Sequence, residues 1–222
     1  ETPVIAPAYA QFAEWVARRA AGEPLAYLVG EAEFRGRVFQ VSPAVLIPRP
    51  ETEVLIELAL EKLHSLEAPR VLDLGTGSGI VAISLALECP QAAVVAVDLA
   101  KEAISVARNN AGRLGANVDF RQGDWFSPVA GEHFDLIVSN PPYVADGDPH
   151  LVDLRYEPAP ALASGRDGLD AIRSIVRDAP AHLHSGGWLL LEHGWDQGDA
   201  VRGLLQGAGY DSVETCRDLE DR

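Results

Sequence analysis

The sequence predicts a doubly wound, Rossmann-like α/β fold, in which helices cover both faces of a parallel sheet. From residue 70 onward, short apolar segments alternate with longer amphipathic ones, as strands and helices do in this fold. The apolar segments, such as 71–74 and 134–139, have few polar residues, which indicates strands buried on both faces. A glycine-rich segment at 75–79 follows one strand and precedes a helix. Ligands of such sheets bind at the carboxyl ends of the strands, and we therefore expect the site there.

The first 50 residues carry a different pattern. Residues 9–21 are amphipathic and predict a short helix. Residues 31–42 alternate weakly between apolar and polar, which predicts a β-hairpin. Residues 46–53 contain two prolines and predict a stiff turn that opens a helix running to about residue 66, with Thr52 where a helix N-terminus favours it.

The elements of the sheet follow in regular order. Short apolar runs predict strands at 71–74, 93–98, 118–121, 134–139, 188–192 and 212–216. The amphipathic segments between them predict helices at 80–87, 101–114, 169–183 and 197–208.

Composition limits the classes of function. The 222 residues carry a net charge of −15, with 18 Lys and Arg against 33 acids. A protein that grips duplex nucleic acid neutralises several phosphates with basic residues, so nucleic acid is not expected as the main substrate, whereas small molecules or a basic protein surface are. No apolar run approaches the ~20 residues of a membrane helix. The two cysteines are far apart and form no CxxC, so we expect neither disulfides nor a metal site, and a cytoplasmic location.

The glycine-rich segment predicts a cofactor site. Its spacing is G-x-G-x-G, whereas dinucleotide binders have G-x-G-x-x-G. Asp73 precedes it and would repel a pyrophosphate but attract a sulfonium or ammonium group. Asp98, at the end of the next strand, is placed to accept hydrogen bonds from ribose hydroxyls. A phosphate-free nucleoside with a cationic amino acid, S-adenosylmethionine, satisfies both features. The expected binding residues here are Asp73, Gly75, Thr76, Gly77, Ser78, Gly79 and Asp98.

The third strand of the sheet ends near the expected adenine position. Asp124 could accept a hydrogen bond from the exocyclic amine of the base, and Trp125 could meet the ring. A purely structural role for Trp125, as a core residue beside a turn, stays open.

The segment Asn140-Pro141-Pro142-Tyr143, directly after an apolar strand, is the sharpest signal for chemistry. The prolines hold the backbone extended and remove two N–H donors, which leaves the Asn140 side-chain oxygen and the Pro141 carbonyl as acceptors. Two fixed acceptors suit a substrate NH₂ group, and Tyr143 can pack over a flat substrate. We therefore expect these four residues to form the catalytic site, with Asn140 also near the cofactor.

These motifs together resemble those of class I amino-methyltransferases. Within that class the chain is similar to the HemK/PrmC family, the release-factor glutamine N5-methyltransferases. The similarity extends over segments 22–28, 46–53, 123–126, 138–143, 148–151, 191–194 and 214–218. Asn-Pro-Pro-Tyr is shared with adenine-N6 DNA methyltransferases and so indicates the chemistry more than the substrate, whereas Pro-Arg-Pro-Glu-Thr-Glu is far more specific.

The resemblance implies methyl transfer from S-adenosylmethionine to the glutamine side chain of the Gly-Gly-Gln motif in peptide-chain release factors, with S-adenosylhomocysteine as product. It divides the chain into the last helix of a substrate-docking helical domain (1–30), a hairpin linker (31–50) and the methyltransferase domain (51–222). It also implies the strand order 3-2-1-4-5-7-6 with an antiparallel seventh strand. Residues 218–222 are typical of a turn into that strand, so we expect the native product to continue for at least one more strand.

Three further residues lie near the expected site. His150 and His193 are candidate proton acceptors, although a structural role is more common for such histidines, and the mechanism requires no general base. Glu192, at the end of the fifth strand of the sheet, is a candidate to line the pocket. The alternatives are a glutamine methyltransferase of a ribosomal protein, an adenine-N6 or guanine-N2 methyltransferase of nucleic acid, and a cofactor-binding module without catalysis.

Overall fold

The computed structural model describes residues 6–217 of the chain. The first part comprises helices α1 (Ala6–Ala20) and α2 (Leu25–Val29), followed by the antiparallel hairpin of β1 (Glu31–Phe34) and β2 (Arg37–Gln40). The predicted first helix and hairpin are confirmed. The five-residue α2 was not predicted, because so short a segment carries less than two turns of periodicity.

The second part alternates strands and helices as expected, but the helix predicted at 169–183 ends at Asp178 before Pro180, and the strand predicted at 188–192 begins earlier, at Leu183. It comprises, in chain order, α3 (Thr52–Leu63), β3 (Arg70–Leu74), α4 (Ile80–Glu88), β4 (Ala93–Asp98), α5 (Lys101–Leu114), β5 (Val118–Gln122), β6 (Phe134–Ser139), α6 (Asp170–Asp178), β7 (Leu183–Leu191) and α7 (Gly198–Gly207). Short 3₁₀ turns lie at Ser127–Val129, Pro149–Val152, Ala159–Ala161 and Ala179–His182.

Strands β3 to β7 form one parallel sheet in the order β5-β4-β3-β6-β7. This order equals the first five positions, 3-2-1-4-5, of the strand order that the resemblance implied. Chain order reverses between β3 and β6, which is the point where ligands of doubly wound sheets bind.

The core lies on both faces of the sheet. On one face, Val71 of β3 packs with Ile56 of α3 and Ile83 of α4. On the other face, its neighbour Leu72 packs with Ile175 of α6. Because successive side chains of a strand point to opposite faces, a strand between two helical layers must be apolar at almost every position, as the sequence is here.

The predicted strand at 212–216 is wrong. Residues 211–217 form no strand, Ser212 has a positive φ of 53°, and Thr215 accepts a hydrogen bond of 2.6 Å from Arg202 Nη1. A strand needs a partner for its backbone groups, and in the family's order the partner would be the seventh strand. The residues expected to lead into that strand, 218–222, lie outside the described part of the chain. Within 6–217, no helix combines the length and the apolar character needed to cross a bilayer.

Candidate active site

Two cavities lie at the carboxyl ends of the sheet strands. The larger, of about 480 Å³, contains Asp73, Asp98 and Asp124 at the ends of three neighbouring strands, and we call it the acidic cavity. The smaller, of about 310 Å³, lies beside β7 and contains Tyr143 and Glu192; we call it the Tyr143 cavity. Their sizes are those of small-molecule sites.

The glycine loop between β3 and α4 forms the floor of the acidic cavity. Gly75, Gly77 and Gly79 have φ values of 70°, 54° and 86°, a region that favours glycine. At Gly79, a Cβ would also lie 3.1 Å from the Cβ of Ala107, so a side chain there would push α4 away from α5. The predicted loop residues Gly75, Thr76, Gly77 and Ser78 all line the cavity. Gly79, the residue before α4, does not line it.

Asp73 lies beneath this loop. Its Oδ2 accepts hydrogen bonds from Thr76 Oγ1 at 2.7 Å and from the Ala82 N–H at 3.2 Å. Burial raises the pKa of the carboxyl group to about 7, the two hydrogen bonds oppose that rise, and the nearby charge of Asp98 adds to it. Asp73 therefore holds the loop in shape, and its negative charge becomes stable when a cation enters the cavity.

Asp98 closes β4 and ties the glycine loop to the next turn. Its Oδ2 accepts from the Gly77 N–H at 2.8 Å and its Oδ1 from the Ala100 N–H at 2.9 Å. Burial raises its pKa, although these backbone hydrogen bonds favour the charged form. Each carboxylate oxygen keeps a second lone pair with which a ligand hydroxyl can bond.

Asp124 and Trp125 line the acidic cavity beyond β5. Trp125 has a φ of 40°, which is uncommon for a residue with a side chain. Its indole also packs against the core residues below the cavity. Trp125 thus has the structural role that we kept open, and it lines the cavity as well.

The roof of the acidic cavity is the segment 44–49, which overlaps the stiff turn predicted at 46–53. Arg49 forms an ion pair with Glu157, whose carboxylate also accepts the Ile47 N–H at 3.0 Å. Glu157 is buried, with 7% of its surface exposed. The pair joins the roof to the opposite wall, which Pro158 and Pro160 form. No pattern in the sequence indicated Glu157, because its partner lies more than a hundred residues away.

The four predicted catalytic residues separate around the two cavities. Asn140 and Pro142 line the acidic cavity, Tyr143 lines the Tyr143 cavity, and Pro141 is buried and lines neither. Asn140 Nδ2 donates to Thr52 Oγ1 at 3.1 Å. Asn140 therefore lies at the end of β6 on the side of the acidic cavity, and the hydrogen bond to Thr52 orients its side-chain amide.

Glu192 lines the Tyr143 cavity, as expected of a residue near the pocket. It accepts from Thr52 Oγ1 at 2.8 Å and, more weakly, from the Tyr143 hydroxyl at 3.5 Å. Burial raises its pKa and the charge of Glu51 adds to this, while the hydrogen bonds of Thr52, Asn140 and Tyr143 oppose it. Sequence reasoning placed Thr52 only at a helix N-terminus and missed its contacts with Asn140 and Glu192.

The two histidines differ in position. The side chain of His150 is 82% exposed, pairs with Asp148 at 2.8 Å and lines neither cavity. His193 lines the Tyr143 cavity, with its Nδ1 2.8 Å from the Gly194 carbonyl oxygen.

The acidic cavity suits a phosphate-free cation. Among its lining residues, all of them within the described chain, Arg49 is the only cation, and Glu157 already neutralises it. Three carboxyl groups face the same space, so an anionic pyrophosphate would be repelled. The mixture of apolar walls and aligned acceptors fits a nucleoside that carries a positive charge, as S-adenosylmethionine does.

Comparison with family models places the chain among methyltransferases. Residues 51–153 match the Methyltransferase small domain, and residues 1–30 match the PrmC N-terminal domain.

Curated relatives match at high identity. A release factor glutamine methyltransferase of Xylella fastidiosa is 53% identical over 100% of this chain and 82% of its own length. The enzyme of the same name from Bordetella pertussis is 52% identical over 99% of this chain and 83% of its own length.

Solved structures share the fold at lower identity. A methyltransferase from Pyrococcus furiosus has a TM-score of 0.59 and 21% identity, covering 93% of this chain and 92% of that one. A 16S rRNA N2 G1207 methyltransferase from Thermus thermophilus, solved with AdoMet and guanosine, has a TM-score of 0.59 and 22% identity, covering 80% of this chain and 44% of that one.

Proposed function

This chain belongs to the release factor glutamine methyltransferase family, and from that premise we propose that it methylates the side-chain amide nitrogen (N5) of the glutamine in the Gly-Gly-Gln motif of peptide-chain release factors. The observation that carries the proposal is the position of Asn140. Its side chain lines the acidic cavity while its Nδ2 is bound to Thr52, so an amide acceptor is available to a substrate beside a cofactor-sized space.

S-adenosylmethionine is the proposed cofactor; when bound, it supplies an electrophilic methyl group, and S-adenosylhomocysteine is the product. Asp98 would accept the ribose hydroxyls, and Asp124 and Trp125 would hold the adenine. The glycine loop above Asp73 would hold the cationic amino-acid part. The charge of the cavity supports these roles, because three acids and one neutralised arginine favour a cation.

The chemistry follows from the weakness of an amide nitrogen as a nucleophile. Its lone pair is delocalised into the carbonyl group, so the site must position it rather than deprotonate it in advance. The Asn140 Oδ1 would accept one amide hydrogen, and the carbonyl of the adjacent Pro141, a residue that lines neither cavity, is proposed to accept the other, so that the nitrogen is held in place. Positioning of this kind can supply roughly 7–11 kcal/mol in favourable cases.

The same acceptors also stabilise the transition state. As the nitrogen forms its new bond it becomes positive, and acceptors aimed at its hydrogens then bind more strongly than in the ground state. The proton becomes acidic only after that bond has formed and can leave to water. No general base is therefore assigned.

We also propose a role for each part of the chain, from its similarity to the family. Residues 1–30 would contribute to docking the release factor, residues 31–50 would link that part to the catalytic domain, and residues 51–222 would perform methyl transfer. Both cysteines are free thiols, which accords with a cytoplasmic reaction.

The test is methyl transfer from radiolabelled S-adenosylmethionine to a purified release factor. We expect labelling of the natural factor and none when the glutamine of its Gly-Gly-Gln motif is replaced by alanine. Asn140→Ala should lower the single-turnover rate by roughly 100-fold or more, since one aimed acceptor is worth ~2.7–4 kcal/mol. Ser84→Ala, which removes a buried hydroxyl without a hydrogen-bond partner, is the matched control and should label normally.

The outcome also separates the alternatives. Equal labelling of the factor with and without its glutamine would overturn the assignment of the target. Labelling only of a ribosomal protein or of RNA would assign the enzyme to one of the other two substrate classes. Cofactor binding without turnover on any of these substrates would indicate a non-catalytic module.

A further inference from the structure

A chain of hydrogen bonds connects Glu192, Thr52 and Asn140. The Thr52 hydroxyl donates to Glu192 Oε2 at 2.8 Å, and Asn140 Nδ2 donates to Thr52 Oγ1 at 3.1 Å. Thr52 is 1% exposed, so no solvent competes for its hydroxyl. The three residues belong to three elements that are far apart in the sequence.

The sheet register brings the ends of this chain together. Ser139, the last residue of β6, pairs with Leu191, the last residue of β7, and the Glu192 N–H donates to the Ser139 carbonyl at 3.0 Å. Asn140 and Glu192 are therefore neighbours by construction of the sheet. Thr52, the first residue of α3, lies between their side chains.

The chemistry of the three groups fixes which group donates and which accepts in each of these hydrogen bonds. An ionised carboxylate can only accept hydrogen bonds, so the Thr52 hydroxyl must donate its single hydrogen to Glu192. The Thr52 oxygen can then only accept from Asn140, and it must therefore face the NH₂ end of the Asn140 amide. The carbonyl end, Oδ1, is left for the substrate.

A protonated Glu192 would allow the opposite direction. Its O–H could donate to Thr52, and the Thr52 hydroxyl could turn to donate to Asn140 Oδ1. The Asn140 amide would then be reversed and present its NH₂ group to the substrate NH₂ group. Two sets of donors would face each other, and the acceptor on which the proposed chemistry depends would be lost.

We propose that Thr52 and Glu192 are positioning residues that decide which end of the Asn140 amide faces the substrate. The inference rests on the proposed function, because it concerns the acceptor for the substrate amide. Thr52 lines the acidic cavity and Glu192 the Tyr143 cavity, and in the proposal both act on the substrate through Asn140.

The surroundings of Glu192 make its charge state variable. The ionisable groups that line the Tyr143 cavity with it are Glu51 before α3, Tyr143 after β6, and, farther along the chain, His193, Arg202, Glu214 and Cys216. Burial and the charge of Glu51 raise its pKa. The rate of methyl transfer should therefore decrease at low pH, as Glu192 takes up a proton.

The kinetic test compares Thr52→Val, Thr52→Ser and Glu192→Gln, with Ser84→Ala as control, in single-turnover methyl transfer at saturating cofactor across the pH range. Thr52→Val and Glu192→Gln should each react about tenfold more slowly, the effect of one lost orienting contact. In both variants the rate should no longer decrease as the pH is lowered through the pKa of Glu192. Thr52→Ser keeps the hydroxyl and should retain both the rate and its decrease at low pH. If Glu192 instead acted as a general base, the rate of Thr52→Val would still decrease at low pH.

A second measurement needs no substrate. The side-chain NH₂ signals of Asn140 in ¹⁵N NMR, assigned by their loss in Asn140→Ala, should titrate with the Glu192 carboxyl signal in the wild type. In Thr52→Val this coupled shift should become smaller, because the Asn140 amide then senses the Glu192 charge only directly and no longer through the Thr52 hydroxyl. The NMR experiment requires no release factor, so its result holds even if release factors are not the substrate. Failure of the proposed function can therefore be distinguished from failure of the Glu192–Thr52–Asn140 hydrogen-bond chain.

A wild-type rate, pH profile and amide titration in Thr52→Val would overturn the proposal. If Thr52→Val does not fold, which circular dichroism would reveal, Thr52→Ala removes the same hydroxyl and takes its place. An unchanged rate and pH profile in Glu192→Gln would also overturn it.

Discussion

Arg49 and Glu157 form an ion pair between the roof and the opposite wall of the acidic cavity. The Glu157 side chain is 3% exposed and that of Arg49 32%, so the pair is screened little by solvent. Glu157 also accepts the Ile47 N–H and thereby holds the roof at a second point. The enclosure of the cavity thus depends on one buried carboxylate.

Replacing this carboxylate should loosen the cavity. The substitution leaves the Arg49 charge without its partner, and because Arg49 is 32% exposed the cost should lie below the ~3–5 kcal/mol of a fully buried pair. We expect Glu157→Gln to lower the melting temperature and to weaken S-adenosylmethionine binding in calorimetric titration. Asp178→Asn, which breaks the exposed pair with Arg177 on α6, is the control and should change neither. Equal behaviour of the two variants would show that the pair does not hold the cavity.

Asp98 should provide much of the affinity for the ribose. Asp98→Ala would remove the two charge-assisted hydrogen bonds proposed to the ribose, each worth ~1.5–3 kcal/mol before compensation, and would also release the Gly77 N–H. We expect cofactor affinity to fall by more than tenfold, with Asp98→Asn intermediate because it keeps one acceptor. Asp119→Ala, which removes an exposed acid of β5, should bind normally. Unchanged affinity of Asp98→Ala would refute the ribose assignment.

Asp73 should make cofactor binding depend on pH. Its pKa is raised to about 7, so it is mostly protonated below that pH in the free protein. A raised pKa of an acid stabilises the folded protein fully below the unfolded pKa, and this contribution is lost as the pH rises to 7. A cationic ligand prefers the ionised form, so affinity should increase by up to tenfold per pH unit below about pH 7 and level off above it.

Asp73→Asn is the matched variant for that prediction. It should bind weakly and lose this part of the pH dependence, while any titration of the ligand itself remains in both proteins. Calorimetric titrations at several pH values would measure the difference. The same increase in both proteins would show that Asp73 is not the titrating group.

The negative charge of the chain should speed its encounter with a basic protein surface. With a net charge of −15 and exposed acids such as Asp146 and Asp153 soon after Tyr143, attraction should act over distances near the Debye length. Stopped-flow association with a release factor should slow as salt shortens that length below ~10 Å. An association rate independent of salt would show that electrostatic attraction does not speed the encounter.

Much of the fold could be predicted because its signals are local. The apolar runs, the amphipathic helices between them and the glycine loop each reflect contacts that any parallel α/β sheet imposes on nearby residues. For the same reason Asp73, Asp98 and Asp124 could be found from their places at or near the carboxyl ends of strands. The strand expected at 212–216 is wrong because strand formation depends on a partner strand, which a local sequence pattern does not supply.

The tertiary structure decided which residues meet. Thr52, Asn140 and Glu192 come from three distant segments, and only the pairing of Ser139 with Leu191 sets Glu192 beside Asn140. The partnership of Arg49 and Glu157 likewise appears only when two loops close over the same cavity. The sequence by itself determined the elements and the chemical groups at their ends, since these depend on neighbours along the chain. The hydrogen bonds that orient those groups depend on register and packing between distant segments, which no local pattern encodes.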